Sequence, residues 1–132
     1  MSDAQASGAV SGDAAEAALA YLREMSPDLR GAAILDSDGV VLAATGTPER
    51  WREDAATLLE AADRADGKAV EQVHIGTEQG EVFALRHAGL AAIAVTERFA
   101  LASLTLFDMR ALLRDLAGGG DGLAGGDGGG AA

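Results

Sequence analysis

The chain has no cysteine among its 132 residues. Disulfides and thiolate-bound metals are therefore excluded, and a reducing compartment suits it. Aromatic residues are scarce as well, with one Trp, one Tyr and three Phe, so the core must be built from Ala, Leu and Val. No run of about 18 uninterrupted apolar residues occurs, and the N-terminus is polar and acidic. The sequence thus predicts neither a spanning helix nor a secretory signal, and the expectation is a soluble, cytoplasmic protein. Positive charge is short too: 10 basic residues face 21 acidic ones, for a net charge of −11. Setting aside Asp3, Asp121 and Asp127 near the termini still leaves 18 acidic residues against those 10. Such a surface repels phosphate backbones and anionic lipid, so neither nucleic acid nor membrane is an expected partner. It serves either solubility alone or a partner with a basic patch.

The length fits one domain with a modest core. Residues 1–12 are small, polar and aperiodic and read as a disordered arm. A domain over 13–117 follows, then a disordered Gly-rich tail over 118–132. Asp13 and Glu16 have the spacing of a capping box for a first helix. That helix runs to about Met25, with Ala15, Ala18, Leu19, Leu22 and Met25 on one face. Ser26-Pro27-Asp28 stops it.

Gly31 to Ala44 then reads as two apolar strands around the polar turn Asp36-Ser37-Asp38-Gly39. Neither arm alternates apolar with polar, which predicts a sheet covered on both faces. Gly46-Thr47-Pro48-Glu49 starts a second helix that ends near Asp66, with Gly67 as its stop. Trp51, Ala55, Leu58, Leu59 and Ala62 form its apolar stripe. Glu53, Thr57, Glu60 and Arg64 fall opposite, with Glu60 and Arg64 spaced for an ion pair. Trp51 reads either as a core anchor at the helix start or as an exposed interface residue.

Three strands follow, over 69–75, 81–87 and 90–96, joined by turns too short for anything but antiparallel neighbours. The last is apolar throughout and should be central. The first carries Glu71, Gln72 and His74 and reads as an edge. A final helix spans about 101–117, with Leu101, Leu104, Phe107, Leu112 and Leu116 among its apolar positions. The expected fold class is α+β. It is a three-layer α/β/α sandwich around a five-stranded antiparallel sheet, in the order α-β-β-α-β-β-β-α.

Motifs for chemistry fail on context. Gly120 to Gly125 matches G-x-G-x-x-G, but a helix precedes it and a glycine tail follows, so no pyrophosphate cradle forms. Asp36-Ser37-Asp38-Gly39 lacks the later oxygen ligands of a calcium loop. His74 and His87 have no metal-ligand spacing, and neither a nucleophile elbow nor a P-loop lysine motif is present. The expectation is no catalytic residue, no metal and no cofactor.

The ordered set of segments resembles the roadblock/LC7 (dynein light chain) superfamily, especially its small bacterial members. The resemblance runs from about Ala14 to Ala117. It rests on Leu22 with the short gap to Gly31-Ala32-Ala33-Ile34-Leu35-Asp36-Ser37-Asp38-Gly39-Val40-Val41-Leu42-Ala43, on the alanine-rich second helix, and on Val73-His74-Ile75-Gly76, Val82-Phe83-Ala84-Leu85 and Leu90-Ala91-Ala92-Ile93-Ala94-Val95. It implies a homodimer, or a dimer with a paralogue, whose sheets join edge to edge and whose second helices pack side by side. It also implies a Ras-like small GTPase as partner, in a signalling role. That role is either scaffold or GTPase activator, the latter by reshaping the GTPase without catalytic residues of its own. The expected dimer edge is Val70, Glu71, Gln72, Val73, His74 and Ile75. The expected partner surface is Arg50, Trp51, Glu53, Thr57, Glu60 and Arg64. Two alternatives stand beside it: a small-molecule sensor of PAS- or profilin-like plan, and a pure dimerisation scaffold without a GTPase.

Overall fold

A computed structural model describes residues 10–118. Residues 1–9 of the arm expected over 1–12, residues 119–132 of the tail expected over 118–132, and the glycine string at 120–125 lie outside the described residues.

Helix α1 (Gly12–Met25) starts two residues earlier than the capping box implies. Its cap is Ser11 and not Asp13: the Ser11 hydroxyl accepts from the Ala14 amide at 3.0 Å. Asp13 sits in the first turn, where its charge complements the helix dipole. Val10 is half-buried against the core, so residues 10–12 belong to the domain rather than to the arm.

Strands β1 (Leu29–Asp36) and β2 (Val41–Ala44) form the expected hairpin. One Asp36 carboxylate oxygen accepts from the Asp38 and Val40 amides at 2.8 and 3.0 Å. Gly39 takes φ +84°, which the tight turn requires. Helix α2 (Pro48–Asp66) begins with proline, whose missing amide costs nothing at that position, and ends on Gly67.

Strands β3 (Gln72–Gly76), β4 (Glu81–His87) and β5 (Leu90–Thr96) complete a sheet of order β2-β1-β5-β4-β3. Every pairing is antiparallel, with β5 central and β3 at one edge, as the polarity of each strand predicted. The edge strand is shorter than expected. Val70 and Glu71 precede it: the Val70 amide donates to the Asp63 carboxylate rather than to a strand, while the Glu71 carbonyl still accepts from the Arg86 amide of β4 at 2.8 Å.

The two faces of the sheet are covered unequally. Helices α1 and α3 (Ala102–Ala117) share one face. There they bury a cluster of fifteen residues centred on Leu19, Ile34, Phe83, Met109 and Leu113. On the other face α2 lies over β2 and β1, and the buried cluster is smaller: Ala33, Leu35, Ala55, Ala84 and Ile93, with Ala91 buried nearby. Ala55 is the one buried residue of α2. Its stripe partners Trp51, Leu58, Leu59 and Ala62 are only half-buried. Helix α3 also departs from expectation. Leu112 and Leu116 are buried with Met109 and Leu113, whereas Leu101, Leu104 and Phe107 are exposed. A straight helix on a sheet buries one stripe, and residues 105, 109, 112, 113 and 116 already occupy it.

Candidate interaction surface

Strand β3 bonds to β4 on one side only, so its outer backbone groups have no strand partner among the described residues. The sequence explains the exposure: Gln72 and His74 sit on the α1/α3 face and Val73 and Ile75 on the α2 face, so alternate residues point to opposite sides. His74 stacks on Phe83 across the pair, with ring centroids 4.5 Å apart and an interplanar angle of 9°. Its Nε2 also meets the Glu81 carboxylate at 2.5 Å. Arg110 on α3 donates to the Gln72 side-chain oxygen at 2.7 Å. One side of the edge is therefore fixed by polar contacts.

The α2 side is open. A groove of about 660 Å³ runs between α2 and the sheet, walled by Trp51 and Leu58 and floored by Ile75, Val82 and Val95. Thr47, Arg50, Asp54 and Thr77 sit at its rim. Val82 and Val95 face each other across β4 and β5, and both are half-buried. Neither is among the site residues expected from the sequence. The available signal was alternation, since Val82, Ala84 and Arg86 share the face that α2 covers only in part.

Trp51 is a core anchor more than an exposed interface residue. Its Nε1 donates to the Thr45 carbonyl at 2.6 Å, and its ring packs over Gly31, where a Cβ would lie 3.2 Å from Trp51 Cζ2. The other residues of the expected partner surface, Arg50, Glu53, Thr57, Glu60 and Arg64, are all exposed on α2. Glu60 and Arg64 do not pair. Among the described residues the ion pairs are Arg30–Glu97, His74–Glu81 and Arg86–Asp63.

Asp63 is held below its ordinary pKa first by the Arg86 guanidinium hydrogen bonds and then by the Val70 amide. Glu81 is held low first by His74 and then by the Phe99 amide, which donates to its second oxygen at 3.1 Å. Both carboxylates are structural clamps. One ties the end of α2 to β4, and the other ties the edge strand to the loop before α3.

Solved proteins resemble this chain in fold. A roadblock/LC7 domain from Streptomyces avermitilis matches at TM-score 0.61 and 24% identity, covering 73% of this chain and 88% of that one. The chain has the roadblock/LC7 fold. MglB from Myxococcus xanthus has the same roadblock/LC7 plan at TM-score 0.66, with 9% identity over 80% of this chain and 86% of its own. Profilin IA from Acanthamoeba castellanii matches at TM-score 0.51 and 18% identity, covering 76% of this chain and 97% of that one. No protein-family model matches the sequence, and no curated protein does. At these identities the likenesses establish the fold alone, and function must be argued from the surface.

Proposed function

We propose that this chain is a dimeric regulatory module that pairs through β3 and binds a Ras-like small GTPase, as scaffold or as activator. The observation that carries the reading is the β3 edge, which has no strand partner among the described residues, lying beside an apolar groove that α2 leaves uncovered. A second copy adding its own β3 would extend the ladder. It would also bring a second α2 toward Ile75, Val82 and Val95, and so cover the thin side of the core. The partner is a second copy or a paralogue, and the setting is the cytoplasm. No helix among the described residues is long and apolar enough to cross a membrane.

The GTPase part rests on the roadblock/LC7 resemblance together with the exposed, mixed-charge outer face of α2. Arg50 and Arg64 carry guanidinium forks suited to carboxylates or phosphate-adjacent groups. Among the described residues no group of three or more His, Cys, Asp or Glu side chains could hold a metal. On this reading any acceleration of GTP hydrolysis comes from reshaping the GTPase.

Two measurements test this. Sedimentation equilibrium of the full chain should give a dimer, and Val73→Pro, which removes a ladder amide and kinks the edge, should weaken it. Calorimetry with a Ras-like GTPase loaded with GDP or a GTP analogue should show nucleotide-dependent binding. Reversing Glu60 and Arg64 together should weaken that binding without altering the fold. A chain that dimerises yet binds the GTPase in neither state would be a dimerisation scaffold.

A further inference from the structure

Helix α3 and the loop feeding it carry an apolar surface that the β3 edge does not use. Phe99 is 81% exposed, Phe107 66% and Leu101 65%, with Leu104 half exposed beside them. Tyr21 and Met25 on α1 are exposed as well. These six residues lie in the α1/α3 layer. The Glu97 amide donates to the Asp28 carbonyl at 2.9 Å, so the end of α1 and the start of α3 meet at one end of the sheet.

Phe99 is not a stray loop residue. Its φ is +64°, a conformation costly for a bulky side chain, and its amide is held there by Glu81. The Arg98 guanidinium lies over its ring at 4.7 Å. Strain at an exposed aromatic, fixed by a carboxylate from β4, presents the ring in one position before anything binds it.

We infer that this face is a second self-association surface, through which one copy of the chain packs α3 against α3 of another. Two features select a second copy as occupant. The first is charge. The chain carries −11, so two copies repel across most of their surface. On α3 itself, Asp108 and Asp115 are balanced by Arg110 and Arg114, with Arg98 adjacent. An isologous contact needs both signs on the same patch, and α3 supplies them. The second is size. At their fractional exposures the three aromatics alone present roughly 400 Å², given about 150–250 Å² for a whole aromatic side chain. Two copies would bury about 800 Å² from these rings, and Met25, Leu101, Leu104 and the polar rim add to that toward the ~1,200–2,000 Å² of stable interfaces. The 1–9 and 119–132 segments hold little with which to cover it: their only large apolar residues are Met1 and Leu123.

The inference is independent of the β3 pairing, and the two can be separated on the full chain by light scattering and sedimentation. With both surfaces active, wild type forms tetramers. Leu104→Ser combined with Phe107→Ser should then return the chain to dimers, with the tetramer lost at ten times the wild-type concentration. Both positions are exposed, so circular dichroism of that variant should match wild type. Because the chain has no cysteine, Phe107→Cys provides a second readout that needs no destabilising change. Oxidation should link two copies through that position in high yield. A wild type that stops at dimers, which Val73→Pro dissociates while the Leu104/Phe107 variant leaves them intact, overturns this inference and keeps the β3 reading. Dimers that the Leu104/Phe107 variant dissociates and Val73→Pro does not would keep this inference and overturn the β3 pairing. A monomer under all conditions, without cross-linking at Phe107→Cys, overturns both.

Discussion

Arg86 on β4 grips Asp63 in the last turns of α2 through two parallel bonds, Nη1 to Oδ1 at 2.9 Å and Nη2 to Oδ2 at 3.1 Å. The same Asp63 oxygen accepts from the Val70 amide, and the same Arg86 nitrogen donates to the Val70 carbonyl at 3.1 Å. A two-pronged pair of this kind fixes orientation as well as distance. It stands where apolar packing is thin, since α2 buries only Ala55 completely. The end of α2 and the approach to β3 are therefore fastened to the sheet by one polar junction.

Asp63→Ala should loosen that junction first. Amide exchange should speed up at residues 63–72 before it changes in β1, β5 or α3, because those elements rest on the larger core. In a double-mutant cycle Asp63→Ala and Arg86→Ala should be strongly non-additive, since either one removes the whole junction. Additive losses in urea melts would show that the two residues act separately.

Gly80 closes the β3–β4 turn, where Thr77 Oγ1 accepts from the Gln79 and Gly80 amides at 3.1 and 3.0 Å. A Cβ at Gly80 would lie 2.3 Å from the Thr96 carbonyl oxygen, and backbone on the central strand cannot retreat cheaply. Gly80→Ala should cost about 1–3 kcal/mol, the range for forced overpacking. An unchanged urea midpoint would mean that the turn shifts freely.

Acid should weaken the fold through the two clamped carboxylates. Asp63 and Glu81 lie below their ordinary values of 3.8 and 4.5. A depressed folded pKa adds stability that is complete above the unfolded value and is lost as pH falls through the folded one. Their contribution should be flat above about pH 5, shrink below 4.5 and vanish once pH lies under both lowered values. Asp63→Asn and Glu81→Gln should each fall short of wild type at neutral pH, and the gap should close in acid. A gap that stays constant down to strong acid would contradict the assignment.

Trp51 is the one tryptophan, and it lines the groove that a second α2 would approach. If β3 pairing covers that groove, diluting the chain should shift Trp51 emission to the red. Leu104→Ser with Phe107→Ser should leave that shift in place. Emission unchanged across the dissociation range would mean that the groove stays open in the dimer.

Most of the fold was legible in the sequence, because it is written in local terms. Asp36 and Gly39 specify a turn by their own chemistry. Pro48 and Gly67 bracket a helix. The unbroken apolar run Leu90–Val95 belongs only at the centre of a sheet, while Gln72 and His74 mark an edge. What the chain could not declare locally is which residues share each helix–sheet contact. Ser11 outcompeted Asp13 as cap because its hydroxyl reached the free amide, a matter of geometry within one turn. Arg86 finds Asp63 across 23 residues, and Glu81 finds Phe99 across 18, only once β4 lies beside both neighbours. Leu104 and Phe107 satisfy a helical pattern as well as Leu112 does, yet a flat sheet accepts one stripe of a helix, and packing gave that stripe to Met109, Leu112, Leu113 and Leu116. Composition and periodicity determined the elements and their order. The tertiary structure decided which apolar residues were left facing outward, because burial is a contest among residues for limited sheet surface.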